Sequence, residues 1–360
     1  MTQAPSSAET PTRPETGPDG FGTRLRTGVR RAVRAASRPA TWKRGPVLTA
    51  LALLLGLLML LHAQVPNRIW NLGSLTETFL PWFGLLVPVL LALALWRRSA
   101  AAVVALLLPV TVWLSLFGGL LAGRSHAGGD LTVVSQNVRA GNPDPARTAR
   151  DLAGCGADVL ALQELTGSNR GTYEKALAKA YPYHTVQGTV GLWSRLPLSD
   201  TRPVDTKMDY GPLGDTKPAA VKLAYNRALR TTVATDQGPL TVYVAHLGSA
   251  RVNPRAGFWT AARDRNAQAL SQAVAAEHGK RMVLVGDLNG PMDDRAFNGL
   301  TSQLRSAQDT AGDGFGFTWP AGFPVVRIDQ ILFRGGTATS SWVLPATGSD
   351  HRPVAARISW

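Results

Sequence analysis

The 360-residue sequence has a single cysteine, Cys155. No intramolecular disulfide can form and no Cys/His cluster has zinc spacing, so stability must come from an apolar core. Cys155 lies in DLAGCGADVLALQEL and reads as a small buried residue before a strand rather than as a reactive thiol. Lysine is scarce, 7 against 31 Arg, a bias expected of a GC-rich genome and silent about mechanism. Residues 1–20 almost lack large apolar side chains, so burial cannot offset the entropy of ordering them, and disorder is expected. Three later stretches, Pro46–Ala63, Thr78–Trp96 and Ala100–Ala122, contain no charged residue. Each approaches the ~20 residues that carry a helix across a bilayer. Three in succession, with charge only between them, argue against buried helices of a soluble protein. The first could instead be a signal peptide ending at Leu61-His62-Ala63, a reading weakened by the two spans that follow.

The net charge of +14 and pI near 10.7 would ordinarily suggest nucleic acid, but the charge divides into +8 for residues 1–130 and +6 for the rest. A basic run from Arg24 to Arg44 directly precedes the first apolar stretch, where it reports topology and anionic headgroups more simply. Residues 1–45 are therefore a disordered basic tail and 46–122 a three-helix transmembrane anchor. The first connection carries Arg68 against Glu77, the second carries Arg97 and Arg98, and Arg124 follows the third span. The positive-inside rule puts the N-terminus in the cytoplasm, and three spans put everything after Gly123 outside. Trp70, Trp82 and Trp96 suit interfacial belts.

Residues 131–360 have the pattern of a soluble α/β domain. Short β-rich runs such as LTVVS, DVLAL, TVGLW, LTVYVAHL and MVLVGDL alternate with helical segments at Pro145–Ala153 and Phe258–Glu277. A mixed sheet with outer helices follows, with no repeat of fixed period. Polar residues cluster where apolar strands end: Asn137, Glu164, His246, Asp287 and Asn289, Asp329, and Asp350-His351. Taken singly, such residues are usually caps or turn formers.

Their order changes that reading. SQNVR, LQEL, AHLGS, VGDLNG, RIDQIL and GSDHRPV follow one another as the motifs of the endonuclease/exonuclease/phosphatase family do, and the resemblance spans 131–360. It implies a four-layered α/β sandwich with two mixed β-sheets, here preceded by three transmembrane helices. It also implies Mg²⁺ or Mn²⁺ as cofactor, held by Glu164 with help from Asn137 and, through the water shell, Asp350. By the same resemblance Asp287 orients or deprotonates the attacking water and Asn289 contacts the phosphate. His351 binds the phosphate while Asp329 fixes its tautomer, and His246 is a second phosphate ligand or the acid for the leaving group. The two histidine roles are interchangeable on sequence alone.

Elementary chemistry asks for the same residue types. Phosphate ester hydrolysis needs an activated water, neutralisation of the phosphoryl oxygens, and a proton or cation for the leaving oxygen. Hard carboxylate oxygens suit Mg²⁺. Trp319 in FTWP reads as packing, and segments 201–218 and 290–326 as specificity loops.

Three functions compete. The first is an outer-face phosphoesterase acting on a phosphorylated envelope or lipid-linked substrate, with membrane lipids as neighbours; tethering raises its effective concentration there. Three spans before this domain resemble the VanJ-type teicoplanin-resistance proteins, which implies a part in glycopeptide resistance. The second is a surface nuclease, supported by the +6 domain and HLGS. The third is a non-catalytic binding module, disfavoured because every motif keeps its functional residue.

The charge asymmetry makes a topology prediction. A reporter fused after Gly123 should be active only if it requires an extracytoplasmic location. Protection of the C-terminal domain from external protease in intact, wall-stripped cells would overturn the orientation.

Overall fold

The computed structural model describes residues 42–207, 226–254 and 257–360. Nearly all of the expected basic tail, and residues 208–218 of the first expected specificity loop, lie outside that range. Two six-stranded sheets make up the C-terminal domain. The first contains β1 (Leu131–Asn137), β2 (Val159–Gln163), β3 (Tyr183–Gln187), β4 (Val190–Ser194), β13 (Thr337–Val343) and β14 (Val354–Ser359), in the order β13-β14-β1-β2-β4-β3. The second contains β5 (Leu198–Pro203), β6 (Ala228–Thr235), β7 (Gly238–His246), β10 (Met282–Asp287), β11 (Arg305–Ser306) and β12 (Asp329–Arg334), in the order β11-β12-β10-β7-β6-β5. A short hairpin, β8 (Arg251–Asn253) and β9 (Gly257–Trp259), stands apart.

Each sheet has one parallel pair at its centre, β1 with β2 and β7 with β10, and antiparallel neighbours on both sides. The two halves thus share a pairing pattern that the sequence does not display as a repeat. β2, β4 and β10 are buried along their whole length, as continuous apolar runs require when both faces are covered. Val133, Val159, Leu192, Val242, Val244, Val283, Val285 and Ile331 meet between the sheets. Alternate residues point outward. Val134 and Leu160 pack on Leu152 and Leu177 of the helices Pro145–Ala153 and Arg170–Leu177, while Leu284 and Leu332 pack under Leu270 and Val274 of the helix Ala261–Ala275. The layering is helix, sheet, sheet, helix, as expected.

The N-terminal region consists of α1 (Pro46–Leu60), α2 (Leu72–Thr78), a 3₁₀ turn (Leu80–Leu85), α3 (Leu86–Trp96), α4 (Ala100–Ala105) and α5 (Leu107–Leu121). The expected count of three full spans is not met. Among the described residues only Ala100–Leu121, 22 residues, is by itself long and apolar enough to cross a membrane. α1 is shorter, and Leu72–Thr78 meets Leu80–Trp96 at 67°. The break falls where Pro81, which lacks an amide hydrogen, opens the 3₁₀ turn. α1 packs on α4 and α5, with Gly56 against Leu108 and Pro109. Lys43, Arg44, Trp96 and Arg97 gather at one end of this bundle, and the sandwich sits at the other.

The junction between bundle and sandwich is polar and buried. Glu77, 1% exposed, accepts from the guanidinium and the backbone N–H of Arg295, whose remaining donors reach the carbonyls of Val65 and His62. Ser74 donates to Asp294, which pairs at 2.6 Å with the fully buried Arg263. Trp82 Nε1 donates to the Val325 carbonyl at 2.7 Å and its ring stacks on Phe317, so Trp82 is a docking residue rather than part of an interfacial belt. Phe315 packs against Trp113 and Phe117. Much of 290–326, expected as a specificity loop, is thus the surface that meets the helices. On the other flank, Asn71 donates to the Phe258 carbonyl and the Phe258 N–H to the Trp70 carbonyl. Gly257, at φ 72°, is required there, because a Cβ would lie 2.3 Å from that of Trp70.

Candidate active site

Both parallel pairs end on the same side, and their C-terminal ends carry the candidate residues. Asn137 closes β1, Glu164 follows β2, His246 closes β7 and Asp287 closes β10. Register does the alignment: Asp287 lies opposite His246 on one side and Asp329 on the other. Gly286 permits this close approach, since at φ 142° a Cβ would fall 1.8 Å from the Ala245 carbonyl oxygen. Glu164 and Asn289 both have positive φ, 63° and 56°. Left-handed backbone at non-glycine residues costs on the order of 1 kcal/mol each and persists where the surroundings hold it. The Asn169 side chain does so at the Glu164 carbonyl, and the Asp287 carboxylate at the Asn289 N–H.

The side chains converge on Asp287, which is 1% exposed. Its Oδ2 accepts from Asn137 Nδ2 at 3.0 Å and lies 3.6 Å from His246 Nε2 and 3.9 Å from His351 Nε2. Asn137 Nδ2 also donates to Glu164 Oε1 at 3.0 Å, and Glu164 Oε2 accepts from the Ala140 N–H. The amide nitrogen of Asn137, rather than its oxygen, therefore faces the two carboxylates, and the oxygen accepts from the Arg139 N–H. Asn137 spaces and partly neutralises the carboxylates here, and ligation of a cation through its oxygen would need the amide turned over. Asn289 donates to the Leu247 carbonyl and lines the cleft. Asp350 is exposed at the rim.

Burial and the neighbouring Asp329 push the Asp287 carboxyl up to about 7, against His351 and the Asn137 hydrogen bond, which lower it. A carboxylate with that affinity suits a general base near neutral pH. His351 Nδ1 is 2.9 Å from Asp329 Oδ2, and Asp329 is fully buried. Burial alone would lower the imidazole's proton affinity. The Asp329 carboxylate outweighs it, with Asp287 and Asp350 adding, and raises the ring to about 10. His351 is therefore an imidazolium at neutral pH, oriented by Asp329 with Nε2 turned toward Asp287 and the cleft. His246 goes the other way: burial, then Arg227 and His351, hold it well below its ordinary value. A neutral imidazole can donate one hydrogen bond to a phosphoryl oxygen but holds no extra proton for a leaving group. This separates two histidines that the sequence leaves interchangeable.

Sequence reasoning missed Arg227. It immediately precedes β6, donates to the Leu247 carbonyl, and interacts electrostatically with Asp287, Glu164 and His246. Its only signal is strand pairing, because the Arg227 carbonyl accepts from the His246 N–H. Trp319 is also corrected: it is 40% exposed and lines the cleft instead of packing. Arg352 donates to the Ala321 carbonyl, a supporting contact.

The donor set fits a hard divalent cation. Asp287, Asp329 and His351 place one potential ligand atom each within 4.8 Å of the others. His351 Nδ1 is already engaged by Asp329, so Glu164, 30% exposed on its side chain, is the more accessible first ligand. A cation bound at Glu164 would neutralise phosphoryl charge and lower the proton affinity of a nearby water. Around it stand Asp287, 3.6 Å from His246 Nε2 and 3.9 Å from His351 Nε2, a carboxyl and two imidazoles of the types that a base and phosphate ligands would require.

The profile of the Endonuclease/Exonuclease/phosphatase family matches residues 134–351, more than half of the chain. The chain belongs to this family. Its members, which include phosphatases, nucleases and sphingomyelinase-like hydrolases, are generally metal-dependent. Solved structures with the same fold include a humanized D. rerio TDP2 (18% identity, TM-score 0.51, covering 64% of this chain and 99% of that one). An endonuclease/exonuclease/phosphatase from Bacteroides vulgatus is 16% identical, with TM-score 0.51 and the same coverage. Beta toxin from Staphylococcus aureus is 17% identical, with TM-score 0.50, covering 63% and 99%. No curated protein matched the sequence.

Two predictions follow from this geometry. Asp329→Asn and His351→Ala should each lower turnover at least about 100-fold, and the double mutant should be little worse than the poorer single mutant, because the pair acts as a unit. Losses that multiply would mean independent roles. The second concerns Asp287, whose folded-state affinity for a proton exceeds the ordinary 3.8. The folded state keeps this proton longer than the unfolded chain, so the stability it contributes is complete below that value and is lost as pH rises through about 7. The melting temperature should fall more steeply between pH 5 and 7.5 in the native protein than in Asp287→Asn, by roughly 4 °C. Parallel curves would show that the carboxyl is not held protonated by its surroundings.

Proposed function

We propose that this chain is a membrane-anchored, Mg²⁺- or Mn²⁺-dependent phosphoesterase that hydrolyses a phosphate ester of the cell envelope or of a lipid-linked substrate on the outer face. The observation that carries the reading is the convergence of Glu164, Asp287, His246 and the His351–Asp329 pair at one sheet end, with a base, two phosphate ligands and a cation ligand in distinct environments. A binding module has no use for a buried carboxyl tuned to about 7 beside a charged imidazole.

The membrane setting is supported by the helical region. Leu54, Leu57, Leu85, Leu86, Val89 and Leu107 are exposed on it, a surface that water does not tolerate in such extent. Lys43, Arg44 and Arg97 collect at the end away from the sandwich, which under the positive-inside rule supports an outer position for the sandwich, with Ala100–Leu121 a full-length span among the described residues. Glycopeptide resistance is the physiological setting that the sequence resemblance suggests.

For the nuclease alternative, phosphate backbones are held by Lys and Arg. Among the described residues none lines the cleft, and Arg227 next to it is engaged with the Leu247 carbonyl, Asp287 and Glu164. The test is turnover by the purified full chain, with Mg²⁺ or Mn²⁺ against chelator, on polyprenyl phosphates, phospholipids, supercoiled DNA and RNA in parallel. Lipid-linked phosphates should be hydrolysed, chelation should abolish activity, and Glu164→Gln should lower kcat/KM about 100-fold and raise the metal concentration required. Full turnover in chelator, or DNA cleaved faster than every lipid substrate, would overturn the reading.

A further inference from the structure

The catalytic cleft, about 250 Å³, has two chemically different sides. Glu164, Asp287, Asn289, Asp350 and His351 form one; Phe79, Phe258, Trp319, Val326 and Ile328 form the other. The apolar side is not only a property of the sandwich. Phe79 belongs to the helical region, at the break between α2 and the 3₁₀ turn. Phe258 is held through its backbone by Trp70 and Asn71 of the same region. Trp319 begins a loop whose Val325 carbonyl accepts from Trp82. Three aromatic residues from three separate segments are thus supplied or fixed by the membrane-embedded part of the chain, and two keep large exposed faces, Phe79 at 37% and Trp319 at 40%.

We propose that this aromatic side is the seat of the hydrocarbon chain of a membrane-resident lipid phosphate, with the phosphate held opposite by His351 and His246. The inference rests on the phosphoesterase reading and narrows its substrate to an amphiphilic phosphate ester that reaches the site along the helices. Three features favour that occupant over a nucleic acid. Apolar and catalytic sides share one cleft, so a head and a tail bind a few ångströms apart. No Lys or Arg lines the cleft among the described residues, and Arg227 beside the site is committed to the Leu247 carbonyl and to the charge of Asp287 and Glu164. Phe79 also directly precedes the segment Leu80–Trp96, which carries the exposed Leu85, Leu86 and Val89.

The test uses the full chain in lipid nanodiscs and measures binding of ethyl, butyl, hexyl and octyl phosphate by calorimetry. Affinity should rise about two-fold per added methylene, half the effect of complete burial because the groove is open. Octyl phosphate should then bind roughly 60-fold more tightly than ethyl phosphate. Phe79→Ser and Trp319→Ser, on separate elements, should each reduce the octyl-to-ethyl ratio at least about five-fold. Because the readout is a ratio within each protein, a general loss of folded material does not imitate it. Native affinity independent of chain length, or a ratio unaltered in both variants, overturns the inference. The phosphoesterase reading would survive that result if any phosphate ester were turned over. Chain-dependent binding without turnover of any ester would instead support the subsite and sink the activity.

Discussion

Three carboxylates, Glu164, Asp287 and Asp329, are brought to one end of two facing sheets, and Asp287 and Asp329 are almost fully buried there. Unpaired ionised groups in such a place cost several kcal/mol each, so the surrounding architecture is organised around offsetting them. Asn137 sets an amide between two of them, Asp329 keeps a proton on His351, and Arg227 leans in from just before β6. The remainder of the imbalance falls on Asp287, which holds a proton up to about 7. A divalent cation at Glu164 would complete the neutralisation, which is why the apparent excess of negative charge reads as a binding capacity. Catalytic readiness and electrostatic strain are the same fact seen from two sides.

The same constraint links the helices to the chemistry. Asp294 is buried and is made tolerable by Arg263, and Arg263 also reaches the Asn289 carbonyl in the turn that follows Asp287. Ser74 of α2 donates to Asp294, and Glu77 one turn further along holds Arg295. A chain of buried charge therefore runs from α2 to the end of β10. Such pairs contribute modest net stability against an apolar equivalent, but removing one partner strands the other, which favours a single docking geometry. The cleft inherits that geometry, because Phe79 and the supports of Phe258 and Trp319 all come from the docked region.

Much of the sandwich was legible because its strands are short apolar runs ending in polar residues, and a run such as MVLVGD has few ways to be buried other than as a central strand. The residues of the site were legible for the same reason, as each ends or follows such a run. Arg227 was not, since its relevance comes from pairing with the end of β7, a contact that no local pattern records. The difference between His246 and His351 was equally invisible: both follow apolar strands or turns, and only the buried Asp329 beside one and Arg227 beside the other separates them. The helical region misled in a different way. Absence of charge identified its apolar segments, but hydropathy does not register Pro81 opening a new turn or α1 stopping at Leu60, so length was overestimated for two of three segments.

Under the proposed lipid phosphate reading, selectivity belongs to the joint between the two parts. The sandwich alone would offer a polar floor with Trp319 on a loop that has lost its Trp82 tie and Phe258 without the backbone partners Trp70 and Asn71. Its carboxylates and histidines would persist, because their contacts lie within the sandwich. Separating the parts should therefore leave the phosphate chemistry in place while removing the feature that distinguishes one phosphate ester from another. An anchor that only raised local concentration would need a linker; here α5 runs into the sandwich within a few residues, and the Arg124 guanidinium donates to the Asp309 carbonyl directly after it. That short connection fixes the cleft relative to the helices, the geometry that the proposed lipid phosphate substrate would require.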